Sequence, residues 1–270
     1  MNGLALRTAL HAGTRVYGTL ITTPSPHWVK PVQSTGVDFV FIDTEHIPLE
    51  RETLSWMCRT YAALGLAPIV RIPSPDPYEA CVALDGGAEG VLAPYIETPE
   101  QVRRLAGAVR HRPLKGALLE RITHERIAPE EPLRSYLANR CAGNLLLINI
   151  ESVPALDALE EILDVPGIDA VQVGPHDLTT SLGVPEQYDH PLFLNAVEKI
   201  IRTARARRIG AGVHFWLSVE RQIEWMRMGA NLTVQSADIT LFTAALTRDI
   251  QRFREAFNET AAPGQMPDAI

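Results

Sequence analysis

A chain of 270 residues that is 46% hydrophobic and 21% charged can bury one core of barrel size. Its net charge of −7 and the absence of a Lys/Arg stripe argue against nucleic acid, and the densest basic stretch, Arg202 to Arg208, falls on a helical pattern as a solvated face. No run approaches the roughly 18 apolar residues of a membrane span. MNGLALRTAL shows no cleavage pattern, and Cys58, Cys81 and Cys141 are scattered without a CxxC spacing, so a cytoplasmic protein with no membrane partner is expected.

In chain order, strand-like and helix-like segments alternate, which predicts a parallel α/β fold. Val16 to Ile21 is a first strand, followed by a helix over 27–34 and a second strand over 37–42. A helix from about 50 to 63 leads to strand three, 67–72, then a short helix over 78–84 and strand four, 90–96. Thr98 with Gln101 three residues on predicts a capped helix to about Arg110. Residues 111–143 read as a long irregular connection holding a strand-like scrap (116–119) and a charged helix (about 130–139), a length usual for functional or lid-like loops. Strands five to eight follow at 145–150, 170–173, 211–215 and 232–235, with helices to Leu163, over 191–207 and 218–228, and last from about Ile239 to Phe257. Residues 1–257 thus form one domain, and 258–270, small, polar and Pro/Gly-bearing, a flexible tail. Eight strands with helices between them make a TIM (β/α)8 barrel the first choice and a doubly wound open sheet the second.

In a barrel the C-terminal ends of all strands face one mouth. Strand two, VDFVFI, ends in Asp43, Glu45 and His46; strand three ends near Arg71; strand five ends in Glu151; strand six runs through Gly174 and Pro175 to Asp177. Glu151 and Asp177 form a hard oxygen pair suited to Mg²⁺ or Mn²⁺ with positions left open, and such an ion can chelate a 2-oxo acid as a Lewis acid. Arg71 supplies the fixed positive donor an enolate oxygen needs. Imidazole ordinarily titrates near neutrality, which makes His46 the proton carrier. Either Asp43 or Glu45 can hold its ring, and Glu45 points away from Asp43 only if strand geometry persists there. Lys30, Lys115 and Lys199 are not at strand ends, which disfavours an imine. The glycines of 86–90 precede a strand instead of following one, so they do not form a dinucleotide loop.

With these residues in view the chain resembles the class II pyruvate aldolases of the HpcH/HpaI type, the 4-hydroxy-2-oxoheptanedioate aldolase family. The likeness runs from about Gly18 to Phe257 and is carried by GVDFVFIDTEH, IVRIP, LDGGAEGVLAPYIETPEQ, INIES and DAVQVGPHDLTTSLG. The resemblance implies a barrel of the phosphoenolpyruvate/pyruvate-binding type and a metal-dependent aldehyde-lyase. Such an enzyme cleaves a 4-hydroxy-2-oxo acid to pyruvate and an aldehyde through a pyruvate enolate, with Mg²⁺, Mn²⁺ or Co²⁺. Position by position, it implies Glu151 and Asp177 as metal ligands, Arg71 on the enolate, His46 as acid/base with Asp43 as its partner, and Asp85 reaching a neighbouring subunit's site. Gly174 and Pro175 match the wall around the pyruvate carboxylate. A homohexamer, a trimer of dimers with exchanged C-terminal helices, is implied as well.

Three departures fall where the aldehyde half is expected. PLKGAL at 113–118 stands in place of G-x-R-G-x-G, His176 in place of Ala, and His214-Phe215-Trp216 in place of smaller residues. His214 and Trp216 therefore join His176 as candidate substrate-binding residues, although a strand-end histidine is more often packed than liganding, and Phe215 and Trp216 also suit a core. His124 and Arg121 are weaker candidates for a lid. A CoA-ester lyase or citrate-synthesising transferase on the same barrel, and a non-catalytic 2-oxo acid binder, are the competing expectations.

Overall fold

The structure, a computed structural model, describes residues 1–125 and 127–259. In chain order its elements are α1 (Gly3–Ala12), β1 (Val16–Ile21), α2 (Val29–Ser34), β2 (Phe39–Asp43), α3 (Arg51–Ala63), β3 (Ala67–Arg71), α4 (Pro77–Gly86), β4 (Gly90–Ala93), α5 (Pro99–Arg110), α6 (Gly116–His124) and α7 (Leu133–Arg140). Then come β5 (Leu145–Ile150), α8 (Val153–Asp157), α9 (Leu159–Leu163), β6 (Ala170–Val173), α10 (Pro175–Ser181), α11 (Pro191–Ala206), β7 (Gly210–Phe215), α12 (Val219–Arg227), β8 (Leu232–Ala237) and α13 (Asp238–Ala256). The eight strands are parallel and pair in sequence order, with β8 closing on β1. This is a TIM barrel.

The strands are apolar on both faces because both faces are buried. Outward residues such as Val40, Ile42, Val70, Val91, Ile148 and Val171 pack beneath the helices. Inward residues, among them Phe39, Phe41, Ile69, Leu92, Leu145, Leu147 and Val234, fill the barrel. Helix α1 plugs the N-terminal end of the barrel with Leu6 and Leu10, both buried with that inner set. Asn2 caps it by accepting from the Ala5 amide, and Gly13 ends it at φ +81°. The chain's opening decamer is thus part of the barrel and not a loose lead.

Two further elements differ from expectation. Gly116–Leu119 is the start of α6 and not a strand: Ala-Leu-Leu-Glu-Arg are good helix formers, and Ile122 is its buried anchor. A short helix, α10, follows β6 directly. The capping box of Thr98 and Gln101 at α5 is present as expected. Residues 260–270 of the expected flexible tail lie outside the described residues. Among the described residues no helix is long and apolar enough to cross a membrane.

Candidate active site

Asp43 and Arg71 are Cα partners across β2 and β3, and both point into the mouth. The guanidinium donates through Nε to Asp43 Oδ1 at 2.8 Å and through Nη2 to Oδ2 at 2.7 Å, a bidentate buried pair. Burial alone would push the Asp43 carboxyl up, but the Arg71 hydrogen bonds and charge, with the Glu45 amide, hold it below its ordinary range. The expectation that a continued strand would turn Glu45 away from Asp43 fails, because residues two apart on a strand share a face; the chain bends over 44–47 and Glu45 still lies on the Asp43 side. The Glu45 amide donates to Asp43 Oδ1 at 2.9 Å, and its Oε2 lies 3.0 Å from Arg71 Nε and 3.8 Å from His46 Nε2. His46 leaves 48% of its side chain exposed, open to a ligand in the mouth. Asp43 is therefore engaged with Arg71, and the carboxylate nearest the His46 ring is Glu45.

Across the mouth, Glu151 continues the inward alternation of Leu145, Leu147 and Asn149 along β5. Asn149 Nδ2 donates to its Oε2 at 2.8 Å and the Tyr95 amide to its Oε1 at 2.8 Å. Gly174, just past β6, lies between two acids: a Cβ there would stand 2.6 Å from Glu151 Oε2 and 3.5 Å from Asp177 Oδ2. Its φ of −88° suits any residue, so glycine is needed here for room alone. Asp177 comes from the first turn of α10, whose helix Pro175 begins.

The electrostatics of this half are unbalanced. Glu151 is pushed up to about 7, first by burial and then by the negative charges of Asp177 and Glu45, against the Tyr95 amide and Arg71. Asp43, Glu45 and Glu151 act on the Arg71 guanidinium, and Asp177 adds its charge beside Glu151. Glu45 Oε2 and Asn149 Oδ1 are buried and accept no hydrogen bond. Unpaired buried acceptors and a raised carboxylate are the marks of a site that suits a cation, so these residues fit a divalent metal. Among the described residues no three His, Cys, Asp or Glu side chains converge as a cage. The chain thus offers a pair of oxygen donors and leaves other coordination positions to water or ligand, as hard divalent ions tolerate.

The remaining candidates divide into wall and periphery. His214 lies inside β7, buried, with Nε2 3.2 Å from the Ser236 carbonyl and its ring edge-on to Phe41 at 5.7 Å and to Trp216 at 6.2 Å. Burial, then the neighbouring Arg71 charge, lower its pKa to about 4, so the ring is neutral near pH 7. His176 on α10 faces Glu186, with Nδ1 3.9 Å from its carboxylate. Asp85 stands near the end of α4, at the opposite rim, where it is exposed and pairs with Arg112. Its own chain does not bring Asp85 to the mouth. Segment 113–118 also starts from that far rim, because α5 runs from mouth to base before it. Helix α6 packs along the outside of α5, where His124 pairs with Glu100 and Glu120. Lys30 and Lys115 lie in and just before outer helices, and Lys199 Nζ donates to the Leu156 carbonyl.

Comparison with known proteins places this geometry. Residues 18–245 match the model of the HpcH/HpaI aldolase/citrate lyase family. The chain belongs to that family. A curated relative, 2-keto-3-deoxy-L-rhamnonate aldolase of Escherichia coli (strain K12), is 31% identical over 251 residues, which cover 92% of each chain. Among solved structures, an HpcH/HpaI aldolase from Desulfitobacterium hafniense DCB-2 superposes with a TM-score of 0.80 at 24% identity, covering 96% of this chain and 98% of that one. The citrate synthase SbnG superposes at 0.81 and 25% identity, covering 95% and 100%.

In this HpcH/HpaI member the strand-end pattern led to Asp43, Arg71, Glu151 and Asp177, and the structure gathers them with Glu45, His46 and Gly174 at one mouth. It also adds Asn149 and Tyr95, which that pattern did not reveal. Asn149 was within reach of period-2 reasoning, being two residues before Glu151 on one strand. Tyr95 was not, because its part in the site depends on a left-handed backbone that no local signal announces.

Proposed function

We propose that this member of the aldolase family cleaves a 4-hydroxy-2-oxo acid to pyruvate and an aldehyde, reversibly, with a divalent cation (Mg²⁺, Mn²⁺ or Co²⁺) held by Glu151 and Asp177. The observation that carries the reading is the pair of carboxylates on either side of Gly174, under-neutralised and facing the Arg71 fork. A bound divalent ion supplies Lewis-acid charge to the keto and carboxylate oxygens of the 2-oxo acid. The chain's own residues do the rest. Asp43 fixes the Arg71 plane, so the Nη1 side of the fork is presented, already oriented, to the negative charge that develops on the keto oxygen. Gly174 and Pro175 give the pyruvate carboxylate a wall without side-chain bulk. His46, open to the mouth and backed by Glu45, carries the proton at the 4-hydroxyl during cleavage and returns it during addition. His176, the neutral His214 and Trp216 border the space for the aldehyde.

Beyond the mouth, α13 lays Leu241, Phe242, Leu246, Ile250, Phe253 and Phe257 open to solvent, an apolar face too large for a lone chain. We read it as covered by a second copy in a homohexamer, the arrangement in which Asp85 would serve a neighbour's site; light scattering that gives a monomer would refute this. The three cysteines are free thiols, which agrees with a cytoplasmic setting.

The likeness to SbnG favours one second reading, a citrate-synthesising activity on the same residues. A substrate panel separates them. The enzyme is incubated with pyruvate, metal and a series of aldehydes, and separately with oxaloacetate and an acyl-CoA. Aldol products that form with pyruvate, and that persist after borohydride treatment of the enzyme with pyruvate, support the aldolase; turnover confined to oxaloacetate refutes it.

A further inference from the structure

Tyr95 follows β4 with φ at +54°, a left-handed conformation uncommon for a bulky residue. Three interactions depend on that turn. Its amide donates to Glu151 Oε1 at 2.8 Å, its carbonyl accepts from Gln101 Nε2 at 3.1 Å, and its phenol comes near enough to the Glu45 carboxylate for that group to raise the phenol's pKa. Gln101 is itself fixed by the capping box that starts α5. The strained residue therefore directs its main chain at one carboxylate of the mouth and its side chain at another.

Packing does not account for a tyrosine here. Its side chain buries little, since the residue is 51% exposed, and glycine would adopt this φ without strain. Glu45, by contrast, has a need. Its Oε2 is buried without a hydrogen-bond donor, 3.0 Å from Arg71 Nε, whose hydrogen is aimed at Asp43, and 3.8 Å from His46 Nε2. Nothing in those contacts fixes the rotation of the carboxylate. The phenol approaches that carboxylate from the β4 side of the mouth.

We propose that Tyr95 is a positioning residue that joins the two halves of this mouth, its amide setting Glu151 and its phenol holding Glu45 toward Arg71 and His46. The inference rests on the aldolase reading and deepens it: Tyr95 acts through Glu45 and Glu151 and not on the substrate's reacting atoms. Its two handles are separable by substitution. Tyr95→Phe removes only the hydroxyl, whereas Tyr95→Gly removes the side chain, keeps the amide and relieves the backbone.

The test measures Mn²⁺ affinity, Tm, and the kcat and KM for deuterium entry into the pyruvate methyl group in wild type and both variants. Mn²⁺ affinity and Tm stay at wild-type values in Y95F and Y95G, because the amide to Glu151 survives in both. The exchange kcat falls by about 10- to 100-fold in both, the range for losing a group that orients a ligand or catalytic side chain, with KM for pyruvate little changed. Wild-type exchange in Y95F would overturn the assignment alone. A drop in Tm and Mn²⁺ affinity in Y95G, with exchange falling only in proportion, would reduce Tyr95 to a packing residue and also overturn it. A wild-type enzyme that exchanges no methyl proton would overturn the aldolase reading, and this inference with it.

Discussion

Two buried carboxylates at opposite ends of adjacent strands meet opposite fates. Asp169, just before β6 at the base, accepts from His11 Nε2 at 2.8 Å, Arg7 Nε at 3.0 Å, the Leu146 amide at 2.8 Å and Arg110 Nη2. Burial opposes its ionisation, yet those donors and charges hold it below the ordinary carboxylate range. Glu151, just past β5 at the mouth, is equally hidden but is pushed up to about 7 by burial and by its acidic neighbours. At the base the carboxylate is fully compensated and locks the α1 plug to the barrel; the mouth is left short of positive charge. Barrels place stability at the first rim and chemistry at the second, and here the contrast is visible in how two acids are solvated by the protein.

The contrast can be broken from either side. The largest effect belongs to Glu151→Gln, which removes a charge the metal-free fold accommodates poorly. Aldol turnover and Mn²⁺ binding disappear while Tm of the metal-free protein at pH 8 rises, a combination read by calorimetry with and without metal; a lower Tm would show that Glu151 is not strained. At the base the prediction reverses. Asp169→Asn leaves cations without their counter-ion and costs about 3–5 kcal/mol in denaturant unfolding, while kcat of the folded fraction holds.

A third prediction concerns the neutral wall. The folded pKa of His214 is depressed to about 4, so as pH falls the unfolded chain takes up the proton first. Stability from this group is complete above about pH 6.5 and is lost between there and pH 4, by about 3 kcal/mol. His214→Gln, which keeps a donor for the Ser236 carbonyl, flattens that limb of the stability–pH curve; an unchanged slope would place the acid sensitivity elsewhere. Smallest is Gly174→Ala. Its Cβ would stand 2.6 Å from Glu151 Oε2, so the carboxylate shifts and Mn²⁺ affinity falls by about 10- to 100-fold with little change in fold.

Much of the mouth was legible in the sequence, because a buried parallel strand is an apolar run and the first polar residue after it marks the C-terminal rim. That rule located Asp43, Arg71 and Glu151, and it extended through Gly174 to Asp177. It could not say who pairs with whom. Asp43 and Arg71 meet through strand register, and Glu45, two residues on, reaches the same guanidinium. The base was nearly illegible: Arg7 and His11 meet an acid more than 150 positions away, a contact that only closure of the barrel creates. Helix α1 left real signals in Asn2, the Leu6–Leu10 spacing and Gly13, yet a short terminal segment yields few residues for periodicity to work on. The turn at Tyr95 left none.

The central claim is tested most directly by the methyl resonance of pyruvate in deuterated water, followed with enzyme and Mn²⁺ and again after full chelation. The account predicts that the methyl signal fades without any aldehyde present, stops fading when the metal is removed, and does not fade with Asp177→Asn. Exchange that proceeds at the same rate in the chelated enzyme, or in Asp177→Asn, would contradict it.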